Sequence, residues 1–199
     1  MELSIVIPAY NEEKNIQVIY NQVSSVLKKL KKTYEIIFVN DGSTDRTLFE
    51  LKRLRNSDKK VKIISFTKNF KKASALAAGL KSASGKVIIT MDADLQDNPS
   101  EIPNLLGKLQ HKYDMVVGWK YPRKDPLHKI IASKIFNLFV RILTRLKIHD
   151  CDCNFRAMKK EVVPHLEIYS GLYRYIPVIA HQKGFKIGET KVKHQKRIY

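Results

Sequence analysis

Long apolar runs are missing from this sequence. Uncharged stretches such as residues 73–80 and 135–140 fall far short of the ~18 apolar residues a membrane-spanning helix needs. The start, Glu2-Leu3-Ser4-Ile5-Val6-Ile7, has no basic region followed by a long apolar one and a small-residue cleavage site, which excludes a secretory leader of that form and leads to the expectation of a cytoplasmic chain. Cysteine is scarce. Cys151 and Cys153 stand one residue apart, too close for an unstrained disulfide and closer than the usual zinc spacing, so free thiols in a reducing compartment are expected. There is no G-x-G-x-x-G. Residues 79–86, Gly-Leu-Lys-Ser-Ala-Ser-Gly-Lys, have one residue too many for a P-loop and precede a strand, which excludes the dinucleotide-enzyme and P-loop classes. Acidic residues are outnumbered: 19 Asp and Glu face 37 Lys and Arg, a formal charge of +18 that attracts phosphates, nucleic acid or anionic lipid. Repeats, low-complexity tracts and linkers are absent, so residues 1–199 read as one domain.

What the chain does contain is an alternation of short Val- and Ile-rich runs with segments of helical period, the pattern of an α/β chain with a mostly parallel sheet and helices on both faces. Strands are expected at residues 3–8, 34–40, 61–67, 86–91 and 114–119. The first helix shows its period in Ile16, Ile19, Tyr20, Val23, Leu27 and Leu30, with Lys28, Lys29, Lys31 and Lys32 in its last turns. A second helix follows residues 41–45; others are expected at 72–83, 100–110 and 127–146. Beyond residue 150 the alternation weakens, leaving helical character at 162–168 and 175–181 and a final strand at 186–192.

Ligands of an open parallel sheet bind outside the carboxyl ends of its strands. Three sets of polar residues fall there: Pro8-Ala9-Tyr10-Asn11-Glu12-Glu13, Asp41-Gly42-Ser43-Thr44-Asp45 and Asp92-Ala93-Asp94-Leu95-Gln96-Asp97. Clustered carboxylates repel unless a cation or a ligand's donors compensate them, and oxygen-only ligation fits Mg²⁺ or Mn²⁺. Asp94 and Gln96 are the candidate ligands, joined by Asp92 if extended geometry persists. Gly42 serves a tight turn and the residues after it cap a helix, while Asp41 is free to accept from a nucleobase N–H. Glu12 and Glu13 have an electrostatic alternative at a helix N-terminus.

These sets, with Asn69-Phe70, residues 75–80 and Asn154-Phe155-Arg156, resemble glycosyltransferase family 2 in order and spacing, and within it the dolichol-phosphate mannosyltransferases and polyprenyl-phosphate glycosyltransferases. The resemblance implies a GT-A type nucleotide-sugar-binding fold, a donor of the GDP-mannose or UDP-glucose type, a polyprenyl or dolichyl phosphate acceptor, and Mg²⁺ or Mn²⁺. Carried over by position, Pro8, Tyr10, Glu12, Asp41, Asp92, Lys120 and Arg123 would bind the donor, and Asp92, Asp94 and Gln96 the metal. Asp94, Lys129, Ser133, Arg156 and Arg197 would serve catalysis. Residues 1–119 would form the donor half and 120–199 the half facing acceptor and membrane. The pattern departs from the family where Asn-Phe-Gly-Lys appears as Asn69-Phe70-Lys71-Lys72, and where Lys120 and Lys129 replace frequent arginines. From residue 127 to 146, Ile131, Ile135, Leu138, Phe139, Ile142 and Leu146 share a helix face with Lys134, Arg141 and Arg145 at its margins. That face suits either an anionic membrane surface or the core. The expected location is therefore peripheral, at the cytoplasmic face of a membrane. A family 2 enzyme with a saccharide acceptor and a basic nucleic-acid-binding domain are the alternatives, although no nucleic-acid module is recognisable.

Overall fold

The structure, a computed structural model, describes residues 1–122 and 127–195; the side chains of residues 111, 127–134 and 136 lie outside the description. Among these residues seven strands form one sheet: β1 (Leu3–Ala9), β2 (Tyr34–Asn40), β3 (Val61–Ser65), β4 (Val87–Thr90), β5 (Met115–Lys120), β6 (Arg156–Lys159) and β7 (Ile187–Val192), in the order β3-β2-β1-β4-β6-β5-β7. All neighbours are parallel except β6, which runs antiparallel to β4 and to β5. Every residue of β2 is buried, so both sheet faces are covered.

Among the described residues six α-helices accompany the strands: α1 (Ile16–Lys29), α2 (Thr47–Ser57), α3 (Lys71–Ser82), α4 (Ile102–Lys112), α5 (Leu127–Thr144) and α6 (Ile176–Gln182). The α1 period holds, with Ile16, Ile19, Val23 and Leu27 fully buried and Lys28 and Lys29 in the last turn. Short 3₁₀ turns cover Pro99–Glu101, Lys160–His165 and Ser170–Tyr175, so the helical character expected at 162–168 is a 3₁₀ segment that begins earlier and contains Pro164.

One feature corrects the sequence reading and a second bears on its two alternatives. The first is β6, a four-residue strand, Arg-Ala-Met-Lys, inserted between β4 and β5. The second is α5. Its apolar side, Ile135, Leu138, Phe139, Ile142 and Leu143, is exposed, while Asn137 and Val140 face inward; the core-facing alternative fails for this stripe, although Leu146 just beyond the helix is buried. Asn137 anchors the buried side by accepting from the Cys151 N–H at 2.9 Å. Cys151 and Cys153 are free and buried, and burial raises both thiols, Cys151 to about 11.

The sheet order reverses about β1, which pairs with β2 on one side and β4 on the other, and this is where an open α/β sheet forms a crevice. The loops after β1, β2 and β4 open on the same edge.

Candidate active site

The loops after β1 and β2 are tied together by their own side chains. Asn11, in the left-handed region at φ 55°, donates its N–H to Ser43 Oγ at 3.0 Å and accepts from the Thr44 N–H at 2.9 Å. Thr47 Oγ1 accepts from the Glu12 N–H, and Glu13 Oε2 accepts from the Arg46 N–H at the start of α2. Glu13 thus serves a helix N-terminus, that of α2. Asp41 is buried and one of its oxygens accepts from the Phe70 N–H at 2.7 Å, which draws in the loop before α3. Gly42 has φ 65°, and a Cβ there would stand 2.2 Å from the Lys68 carbonyl carbon, so this junction admits only glycine.

Around the end of β4 the polar residues interlock. Asp97 Oδ2 accepts from the Asp92 N–H at 3.1 Å, and Asp94 Oδ1 accepts from the Gln96 N–H at 3.1 Å. Asp92 Oδ1 receives the Lys72 ammonium at 2.6 Å and the Asn154 amide at 2.8 Å. Asn154 is itself fixed through its carbonyl, which accepts from Thr90 Oγ1. Lys120 lies 3.4 Å from Asp97 Oδ1 with both side chains nearly buried. An isolated β-bridge pairs Asp97 with His194, and the Gln195 N–H donates to the Gln96 carbonyl.

Unequal compensation sets the protonation of this cluster. Burial alone would raise the Asp92 carboxyl, but Lys72 and Lys120 reverse that and hold it below its usual range. Asp94 has no directly paired ammonium: burial first and the neighbouring Asp92 second push it up to about 6, against a smaller lowering by Lys120. Lys120, despite burial, is raised by Asp97.

A cleft of about 370 Å³ opens over these groups, lined by Pro8, Ala9, Tyr10, Glu12, Asp41, Asn69, Lys71, Lys72, Asp92, Ala93 and Asp94. Of the sequence candidates, Pro8, Tyr10, Glu12, Asp41, Asp92 and Asp94 meet there. Lys120, expected to contact the donor, is not among the lining residues and pairs with Asp97 beside them. Arg156 is corrected. It is fully buried, and its guanidinium donates to the carbonyls of Cys153 (2.5 Å), Tyr173 (3.1 Å) and Cys151 (3.2 Å), so it holds the framework instead of a phosphate. Gln96 is half-buried just past the lining. The extended geometry that would align Asp92 with Asp94 and Gln96 does not persist: β4 ends at Thr90, and the buried Leu95 takes φ 63°. Arg123 and Arg197 lie outside the described residues, as do the side chains of Lys129 and Ser133.

Sequence reasoning missed Asn69, Lys71 and Lys72 as lining residues, although the run Asn69-Phe70-Lys71-Lys72 carried the signal. It also passed over His194, which is buried beside Asp97; nothing in the local sequence marks it. His149, exposed, stacks on Trp119 at 4.1 Å and pairs with Glu189 at 2.7 Å.

The family model for glycosyl transferase family 2 matches residues 4–166, which contain the whole cleft. The chain belongs to this family. Among relatives of the family 2 chain are a dodecaprenyl-phosphate galacturonate synthase of Rhizobium johnstonii, 32% identical over 99% of this chain and 60% of that protein, and an undecaprenyl-phosphate 4-deoxy-4-formamido-L-arabinose transferase of Pectobacterium atrosepticum, 36% identical over 98% and 60%. The chain thus spans 60% of the length of these curated relatives. The fold is shared with glucosyl-3-phosphoglycerate synthase of Mycobacterium tuberculosis, solved with Mn²⁺, UDP and phosphoglyceric acid: TM-score 0.76 at 20% identity, covering 99% of this chain and 72% of that one. For the family 2 chain this supports the mostly parallel GT-A type sheet expected from the sequence.

Proposed function

We propose that this chain transfers a sugar from a nucleotide-sugar of the GDP-mannose or UDP-glucose type to a polyprenyl or dolichyl phosphate at the cytoplasmic surface of a membrane. The observation that carries the reading is the convergence of Pro8, Tyr10, Glu12, Asp41, Asp92 and Asp94 on one cleft at the reversal point of the sheet. Family membership supplies the reaction class, and the two relatives named for polyprenyl-phosphate products supply the acceptor class.

Among the described residues no group of three His, Cys, Asp or Glu side chains is arranged to hold a metal unaided. Mg²⁺ or Mn²⁺ take one or two protein carboxylates and complete their shell with phosphate oxygens and water. Asp94, with which no lysine pairs directly, Asp92 and Gln96 are the residues that would hold it, all hard oxygen donors. When bound, the cation would neutralise the departing nucleoside diphosphate.

Asp41 accepts with its second oxygen from a nucleobase N–H while the first is held by Phe70. Glu12 and Tyr10 close the nucleoside end. The acceptor phosphate is already an anion at neutral pH, so its oxygen attacks the anomeric carbon as the bond from that carbon to the diphosphate breaks. No strong general base is needed; positioning and charge compensation supply the rate. Residues 120–199 contain the acceptor-side candidates Lys129, Ser133 and Arg197.

The exposed stripe of α5, with Arg141 and Arg145 also exposed at its margins, supplies an apolar face and a basic rim of the kind that lies in an anionic interface. No helix of the described residues is long and apolar enough to cross a membrane.

A thermal-shift panel of GDP- and UDP-sugars with and without Mn²⁺ tests the donor, and mass spectrometry of short-chain polyprenyl phosphate incubated with the stabilising donor tests the acceptor. One nucleotide class should raise the melting temperature in a Mn²⁺-dependent way and yield a lipid-phosphate sugar. Sugar appearing only on a saccharide would reject the acceptor, and tight saturable RNA binding with no nucleotide-sugar binding would reject the enzyme reading.

A further inference from the structure

The cleft holds a cation of its own. Lys72, in the first turn of α3, extends to Asp92 at 2.6 Å and lies 5.6 Å from the centre of the Tyr173 ring, so it is held between the carboxylate cluster and the 3₁₀ segment Ser170–Tyr175. Its side chain is 34% exposed and lines the cleft together with Lys71 and Asn69. Asp92, Asp94 and Asp97 carry three negative charges against the ammonium groups of Lys72 and Lys120, and Lys120 is committed to the nearly buried Asp97. Of the two ammonium groups, that of Lys72 borders the open cleft.

We infer that Lys72 is an exchangeable counter-ion: with the site empty it compensates Asp92, and when a divalent cation and a nucleoside diphosphate enter it releases Asp92 and pairs with a diphosphate oxygen. This deepens the reading of the cleft as a nucleotide-sugar site and rests on it. The physical basis is that Asp92 lies within reach of two cations that cannot both be fully compensated by it. A divalent ion shared with Asp94 displaces the ammonium electrostatically, and the arriving diphosphate gives that ammonium a new partner in the same cleft. A lysine suits the exchange because its charge sits on a flexible four-carbon stem with three rotatable donors. The start of α3 places no competing carboxylate near that destination: no acidic residue occupies its first turn, while the Phe70 and Lys71 N–H groups are held by Asp41 and Asn69.

The exchange predicts effects of opposite sign, which a purely structural lysine would not produce. Mn²⁺ binding alone is followed by electron paramagnetic resonance, and UDP and GDP binding by calorimetry with and without Mn²⁺, on the wild type, Lys72→Met and Lys72→Arg. In Lys72→Met, Mn²⁺ alone should bind roughly tenfold tighter because Asp92 is released, while the preferred nucleotide should bind roughly tenfold weaker in the absence of metal. Lys72→Arg should recover most of the nucleotide affinity. Mn²⁺ binding that is unchanged or weaker in Lys72→Met would overturn the exchange while leaving the site reading intact. A wild type that binds neither Mn²⁺ nor either nucleotide would overturn both. Melting temperatures recorded on the same samples show whether each variant is folded, and Lys72→Gln replaces Lys72→Met if the latter is not.

Discussion

Asp94 and Lys71 show how much one position can decide. Asp94 is pushed up to about 6 by burial and by Asp92, because no ammonium pairs with it directly and the more distant Lys120 only partly offsets them. If it is the principal protein ligand, Asp94→Ala should abolish Mn²⁺-dependent nucleotide binding, at least a hundredfold in affinity, with the melting temperature of the unliganded protein unchanged or raised, since a poorly compensated carboxylate is removed. Calorimetry showing undiminished Mn²⁺-dependent binding would end that assignment. Lys71 carries φ 74° where the resembling family has glycine. A side chain in the left-handed region costs about 1 kcal/mol, so Lys71→Gly should stabilise the fold by roughly 0.5–1 kcal/mol in urea denaturation, and Lys71→Ala, which keeps the strain, should not.

Elements explain why sequence reading succeeded in some places and failed in others. The strands that carry the cleft, β1, β2 and β4, are runs of buried Val, Ile and Leu within two residues of where the pattern places them, and their polar ends are visible because they interrupt it. Leu95 and Lys71 were illegible, since no residue type in either position advertises a left-handed backbone. β6 was illegible for a different reason: four residues with charged ends have no period, and their strand identity comes from the ladders on both sides. Arg156 in β6 was misread for the same reason, because a lone arginine in a motif looks like a phosphate ligand until its burial is known. Its three carbonyl bonds join β6 to the Cys151–Cys153 loop and to Tyr173. Arg156→Met should therefore cost about 3–5 kcal/mol, because carbonyls stay buried without donors. Nucleotide affinity of the folded fraction should hold; a selective loss of phosphate or nucleotide binding at unchanged stability would restore the ligand role.

At the scale of the whole molecule, two carboxyl groups with opposite shifts contribute to the acid limb and to the neutral limb of the stability curve. Glu35 in β2 is buried; burial would raise it, but Lys62 at 2.6 Å, the Ser4 and Ser84 hydroxyls and the Ser84 N–H bring it down to about 2. It ties β1, β2, β3 and the turn before β4 together. A depressed folded value means that the unfolded chain binds more protons as the pH falls, so this stabilisation is complete above about 4.5 and is lost between about 4.5 and 2. Asp94 acts with the other sign. Raised from 3.8 to about 6, it binds its proton first in the folded state, so acidification from above 6 towards 3.8 adds stability. In EDTA, urea denaturation should show the Asp94 contribution rising from pH 7 to pH 5 and the Glu35 contribution falling below pH 4.5. Because +18 of formal charge adds self-repulsion as other carboxylates protonate, the difference from each variant isolates its own limb. Asp94→Asn should remove the gain between pH 7 and 5 and leave the acid limb, and Glu35→Gln should lower stability at pH 7 while flattening the fall below 4.5. If Asp94→Asn keeps the wild-type change between pH 7 and 5, another group carries that limb and the uncompensated carboxylate proposed as a cation ligand is not there.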